Sequence, residues 1–261
     1  MTTENEPYQI LPYPRDRLLM VDGGRVARRK HIIHGLVEFD ITDTRLAIRD
    51  YRRRTGEALS FSAFFLSCLG RAVDENKEMH AYRAWRRRLV LFDEVDVNML
   101  FEVEVDGEKM IRPHILRDVN HRCFGELEEE IRTYQTAHEA GAESQFINLF
   151  VRLPGFARRL FLRALLKSPQ MVKDYYGTVL LSSIGMFGRA GGWGIPVPNH
   201  TLQLTLGGVS EKPAVIKHQV EVRRLMSVTI SFDHDVVDGA PAARFTQRLK
   251  DLVETGDGLI A

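Results

Sequence analysis

Residues 231–245 read SFDHDVVDGAPAARF, and this stretch decides the reading of the chain. His234 lies near the end of an apolar strand-like run, LMSVTISFDHD, and before Asp238-Gly239, which opens a final helix. A strand end set against a helix start is a platform for a projecting side chain. Histidine titrates close enough to neutrality to take a proton from a thiol or a hydroxyl. Asp238 is a candidate to orient the loop or to support a charged imidazole. The plain alternative is a hairpin-like turn holding a satisfied histidine. The helix that follows, APAARFTQRLKDLVETG, sets Ala242, Phe245, Leu249 and Leu252 on one face and has Gly256 at its end.

Working outward, the neighbouring segments are β-rich. GTVLLSSIG is a strand ending at glycine, MFGRAGGWGIPVPN a Gly/Pro loop, HTLQLTLGGVS a strand and VIKHQVEVRR a strand or hairpin arm. Further upstream, His31 to Thr42 is a β-branched strand, and Asp43 or Thr44 caps the helix LAIRDYRRR. Ser60 to Asn76 is the most apolar helix, a core helix packed on a sheet. Val95, Val97, Met99, Phe101, Val103 and Val105 alternate with mostly polar residues, the period of a strand. Asp106-Gly107 marks a turn, Lys109 to Leu116 a second strand, and CFGELEEEIRTYQTAH a helix with acids early. Strands and helices are interleaved without strict alternation, which predicts an α/β fold with a mixed sheet.

Composition sets the limits. The chain has 261 residues, 44% apolar and 27% charged, with formal net charge +1. These are globular values, and the charge balance gives no reason to expect a nucleic-acid binder. Cys68 and Cys123 form neither a disulfide framework nor a zinc spacing. The N-terminus lacks the basic-then-apolar pattern of a secretory signal, and no run of 18 apolar residues occurs. A cytoplasmic location follows by default. Residues 1–20, with Pro7, Pro12 and Pro14, read as a loosely ordered arm before a single domain over 21–261.

SFDHDVVDGAPAARF resembles the active-site signature of the 2-oxoacid dehydrogenase acyltransferases, which share His-x-x-x-Asp-Gly with chloramphenicol acetyltransferase. Asp233, not a second histidine, precedes His234, which favours this branch over the condensation domains of peptide synthetases. GTVLLSSIGMFG resembles the family's Ser-before-Gly strand-to-loop turn, and LTLGGVSEKPAV its following strand. LSFSAFFLSCLGRAVDEN and IRPHILRDVNHRCFGELEEEIR resemble its core helix and its strand, Arg-Asp turn and helix. The resemblance runs from about residue 25 onward and is strongest over 177–255.

The resemblance implies a chloramphenicol acetyltransferase-like two-layer sandwich with a large mixed β-sheet. It implies acyl transfer between a thioester and a thiol or other acceptor, with coenzyme A as substrate, no metal and no covalent acyl-enzyme. His234 would be the general base. Ser182 would stabilise the oxyanion, with Ser183 as its rival, Asp238 would be the third catalytic residue, and Gly185 and Gly239 would support the turns. The family's trimers join His and Ser from adjacent subunits, so a homotrimer or a multiple of trimers is expected. The acceptor would be a lipoyl or carrier domain in trans, or a small molecule. Dehydrogenase-complex members carry a lipoyl domain before the catalytic one, and the sequence leaves no room for one. They also place Arg after the catalytic His, where this chain has Asp235. So near an imidazole, that acid either favours its charged form or repels an anionic donor.

Two other readings compete. One is a non-catalytic trimeric scaffold, although scaffolding needs none of His234, Asp238, Gly239 and Ser182. The other is a condensation-type enzyme forming an amide or ester. Residues 144–175 look about two dozen residues longer than the family's segment and carry no acid until Asp174. Phe156, Leu160 and Leu166 share a helical stripe there, near Arg158, Arg159, Arg163 and Lys167. Such a helix either packs on its own domain or lies on a membrane or partner surface. His114 and His121 flank a turn and read as surface or core residues rather than as a metal site. Trp193 is a channel-mouth or plug residue, and Arg86-Arg87-Arg88 a solvated face or a phosphate attractor.

Overall fold

The computed structural model describes residues 8–14, 17–84, 87–105, 108–136, 149–185 and 191–259. In chain order these give α1 (Arg17–Ala27), β1 (Ile32–Asp40), α2 (Thr42–Thr55), α3 (Phe61–Asp74), β2 (Tyr82–Ala84), β3 (Arg88–Val90), β4 (Val97–Val105) and β5 (Glu108–Leu116). They continue with α4 (Phe124–Thr136), α5 (Gly155–Leu165), α6 (Pro169–Tyr176), β6 (Val179–Ser183), β7 (Leu202–Ile216), β8 (Gln219–Asp233) and α7 (Gly239–Thr255).

Six strands form one sheet in the order β1-β8-β7-β6-β4-β5, and β2 pairs with β3 apart from it. The contacts β7–β6 and β6–β4 are parallel, and the others in the large sheet are antiparallel. The sheet is therefore mixed, as the sequence predicts. β7 and β8 form a hairpin whose two connecting residues, Lys217 and His218, both have positive φ. That is the backbone of a turn matching the strands' twist.

Period-2 alternation decides the layers. Val228, Ile230 and Phe232 of β8, Leu202, Leu204 and Leu206 of β7, and Val179 and Leu181 of β6 join one core. α3 supplies Phe64, Phe65, Leu66 and Leu69 to the same core, and α7 supplies Phe245, Leu249 and Val253. Full burial of one such side chain stabilises by about 1.5–3 kcal/mol. Ser60 caps α3, its hydroxyl accepting from the Ala63 N–H at 3.1 Å. This is the helix-on-sheet half of a two-layer sandwich.

Three local readings change. The N-cap of α2 is Ile41, with no side-chain capping bond. Thr44 instead donates to the Val253 carbonyl and Asp43 pairs with Arg223, so tertiary partners outcompete the cap. Helix α1 begins at Arg17, inside the span read as an arm, since its start lies beyond Pro14. In α5, Phe156 and Leu160 are exposed and Arg158 is buried, so of the two readings of this helix the one that packs the Phe156 and Leu160 stripe on its own domain does not hold. The physical reason is Asp22 of α1, a buried carboxylate that Arg158 meets at 2.8 Å.

Candidate active site

His234 follows the last residue of β8, where the chain leaves the sheet. Its N–H donates to the His31 carbonyl at 2.7 Å, and the Asp233 N–H donates to the Thr201 carbonyl at 2.9 Å. The buried Asp233 carboxylate is held by Lys30 at 2.6 Å, and the Val236 and Val237 N–H groups donate to its carbonyl. The backbone around His234 is thus pinned on both sides while its side chain is exposed. Asp238 occupies the N-cap of α7 without a side-chain capping bond, and its carboxylate is exposed too. Gly239 begins the helix with open space where a Cβ would stand.

The acid beside the imidazole has partners of its own. Asp235 accepts from the His31 ring at 3.0 Å and pairs with Arg83. The His31 hydrogen bond leads the causes that lower its pKa, with the Arg83 charge adding to it. His31 therefore braces the turn twice, by its carbonyl to His234 and by its ring to Asp235. Sequence reasoning missed it, reading His31 only as the start of a strand.

Behind this turn a cleft of about 240 Å³ opens, lined by Lys30, Arg83, Tyr82, Leu166, Val172 and Asp233 among others. His80 and His200 also line it, each with its pKa pushed down to about 4, chiefly by burial. His200 bonds Asn199 at 2.7 Å and the Tyr176 carbonyl at 2.9 Å, and its ring stacks on Tyr176. Leu166 and Val172 bring the 144–175 segment to the wall of the cleft.

Ser182 and Ser183 lie on opposite faces of the sheet. Ser183 shares the face of Leu181, toward the helices, and Ser182 points to the other face. There the Ser182 hydroxyl lies 3.1 Å from that of Thr205. This second face is polar and buried, with Asn98, Gln203, Thr205, Thr229 and Ser231. Asn98 Oδ1, Gln203 Oε1 and Thr229 Oγ1 have no hydrogen-bond partner there among the described residues. The strand-to-loop turn needs its glycine, because a Cβ on Gly185 would stand 2.1 Å from the Gly207 carbonyl oxygen. The loop beyond returns over this face, with Gly208 N–H donating to Gly192 and the Trp193 indole donating to the Val37 carbonyl at 3.1 Å.

One chain does not bring Ser182 and His234 together. Ser182 is in register with Thr205, and Thr205 with Thr229. His234 lies five residues further along, about 16 Å at the usual strand rise, and about 10 Å sideways across two strand spacings. The remaining candidates lie elsewhere. His114 bonds Glu130 at 2.7 Å and His121 bonds Asp118 at 2.5 Å. Among the described residues no group of three His, Cys, Asp or Glu could hold a metal. Cys68 is buried, its thiol pushed up to about 12 by desolvation, and Cys123 is exposed. Arg88 is exposed, and Arg86 lies outside the described residues.

Residues 163–261 match the family described as 2-oxoacid dehydrogenases acyltransferase (catalytic domain). The lipoamide acyltransferase component of the branched-chain alpha-keto acid dehydrogenase complex of Pseudomonas aeruginosa is 41% identical over 80 residues. That stretch is 30% of this chain and 18% of the relative, so the match spans less than a fifth of the relative's length. The fold is that of the dihydrolipoamide acetyltransferase of Azotobacter vinelandii, with TM-score 0.70 at 18% identity over 97% of this chain and 94% of that one. In that enzyme a serine, a histidine and an asparagine were studied for roles in catalysis. The serine stands 52 positions before the histidine and the asparagine 4 after it. A chloramphenicol acetyltransferase shares the fold at TM-score 0.52 and 17% identity over 94% of this chain and 99% of that one.

Proposed function

From the match of residues 163–261 to the 2-oxoacid dehydrogenase acyltransferase family, we propose that the protein moves an acyl group between coenzyme A and a thiol acceptor. In this reading residues 21–261 form one catalytic domain. Ser182, His234 and Asp238 keep the separations of 52 and 4 found for the serine, histidine and asparagine of the Azotobacter enzyme, with Asp238 in place of asparagine. The observation that carries the reading is the pairing of a pinned backbone with a free imidazole at His234, and an outward hydroxyl at Ser182 on a buried polar face.

The chemistry follows from those two groups. The His234 imidazole removes the proton of the incoming thiol, and the thiolate attacks the thioester carbonyl. The Ser182 hydroxyl donates to the oxyanion, a contribution of the order of 10²–10³ in rate. The C–S bond to the leaving thiolate breaks, and the imidazolium returns its proton to that sulfur. Neither a metal nor a covalent enzyme intermediate takes part. Because His234 and Ser182 lie far apart along one chain, the site is completed between copies, as a trimer provides. The acyl acceptor is a dihydrolipoyl group or another thiol on a separate molecule.

The test is acetyl transfer from acetyl-CoA to dihydrolipoamide. His234→Ala should lower kcat by about 10²–10⁴. Mixing inactive His234→Ala with inactive Ser182→Ala subunits should restore up to about a quarter of the sites if each site draws on two adjacent subunits of a ring. No transfer by the wild type to any thiol tried, or no restoration on mixing, refutes the corresponding part of the reading.

A further inference from the structure

Helix α5 presents a face that its own fold does not use. Arg158 and Leu165, seven residues apart, face inward and are buried. On the opposite side stand Phe156 and Leu160, 67% and 66% exposed, with Arg159 and Arg163 at the same helical spacing. Leu149 and Leu153 are exposed just upstream, and Arg152 and Lys167 are exposed at either end. Among the described residues, none of Arg152, Arg159, Arg163 and Lys167 is in an ion pair. From residue 144 to 173 the sequence holds no carboxylate.

We propose that this face of α5 is a docking surface for an anionic lipid bilayer. A phenylalanine and a leucine projecting from a short helix, ringed by guanidinium groups, fit the headgroup boundary. There the rings and branched chains enter the acyl region while the long cationic side chains reach back to the phosphates. The other occupants fit less well. A symmetric contact with a second copy would set these cations against themselves, with no acid in the segment to relieve them. A soluble acidic peptide would pair with the guanidinium groups but would leave the apolar surface of Phe156 and Leu160 in water. The docking is peripheral, since no helix among the described residues is long and apolar enough to cross a membrane.

The experiment is sedimentation of the full chain with vesicles of phosphatidylcholine alone and with a quarter phosphatidylglycerol. Binding is expected only to the anionic vesicles, and it should weaken in high salt. Arg159→Gln with Arg163→Gln should lower the partition coefficient roughly 25-fold, the worth of two cations at an anionic surface. Phe156→Ser with Leu160→Ser should also lower it. All four side chains are exposed, so both variants should keep the wild-type melting temperature. A readout without substitution is protection of the Arg159 and Arg163 bonds from trypsin by anionic vesicles. The proposal is overturned by no binding to anionic vesicles, by variants that bind as well as wild type, or by absent protection. It is equally overturned if Phe156→Ser with Leu160→Ser changes the oligomeric mass, which marks a subunit contact. Capture by polyglutamate as tight as by vesicles, indifferent to Phe156 and Leu160, would mark a soluble acidic partner instead. None of these readouts uses acyl transfer.

Discussion

The Asp22 carboxylate and the Arg158 guanidinium meet at 2.8 Å although 136 residues separate them, and both side chains are almost wholly buried. Asp22 also holds Arg25 at 2.7 Å, and Arg158 donates to the Leu153 carbonyl at 2.8 Å. The pair fastens α1 to α5 and so fixes which side of α5 faces solvent. Removing one partner strands a buried charge, which typically costs about 3–5 kcal/mol. Arg158→Met should therefore lower stability by that order in urea denaturation, and Arg158→Met with Asp22→Leu should recover much of it. A single variant as stable as wild type would mean the pair is not holding the two helices.

Ser182 and Ser183 are neighbours in sequence and face opposite sides of β6. The acyl-transfer reading uses only the hydroxyl on the polar face. Ser182→Ala should lower kcat about 10²–10³ with little change in KM. Ser183→Ala should stay within a few-fold of wild type. Steady-state kinetics on both variants decide the matter, and equal losses would contradict the assignment.

Much of this is legible in the sequence. The strands β4 and β8 and the apolar run of α3 follow from short-range sequence pattern, and the structure keeps them. So does the His234 turn, because strand end, turn and helix start are all local. What stayed hidden depends on pairing across the chain. His31 touches the His234 turn only because β1 lies antiparallel beside β8. Asp22 decides which face of α5 turns inward, and no local pattern announces a buried acid more than a hundred residues away. Which face of the sheet each of Ser182 and Ser183 takes is set by the neighbours of β6, since either hydroxyl satisfies the same sequence pattern.

His80 and His200 predict acid sensitivity. Their pKa values in the folded chain are near 4, below the ordinary 6.5, mainly because burial penalises the charged form. The unfolded chain then binds more protons than the folded one between those values. Their stabilising effect is complete above about pH 6.5 and is lost as pH falls toward 4, by roughly 3 kcal/mol per histidine. Urea midpoints measured from pH 7 to pH 4.5 should fall, and His200→Gln should flatten the slope. A flat profile in the wild type would show that neither ring is held neutral.

Gly185 joins the candidate oxyanion strand to the loop that crosses the polar face. A methyl group there would overlap the Gly207 carbonyl oxygen at 2.1 Å, and that oxygen belongs to the irregular stretch where β7 shifts register against β8. Backbone cannot swing aside as the end of a long side chain can. Either β6 and β7 separate locally or the turn re-forms, and overpacking of this kind costs about 1–3 kcal/mol or more. Because Ser182 is three residues upstream and bonded to Thr205 of β7, the displacement reaches its hydroxyl. Gly185→Ala should therefore lower both the melting temperature and kcat. Gly239→Ala, where the surrounding space is open, should leave the melting temperature within a few degrees of wild type. Calorimetry on the two variants separates a glycine demanded by packing within the chain from one that is not.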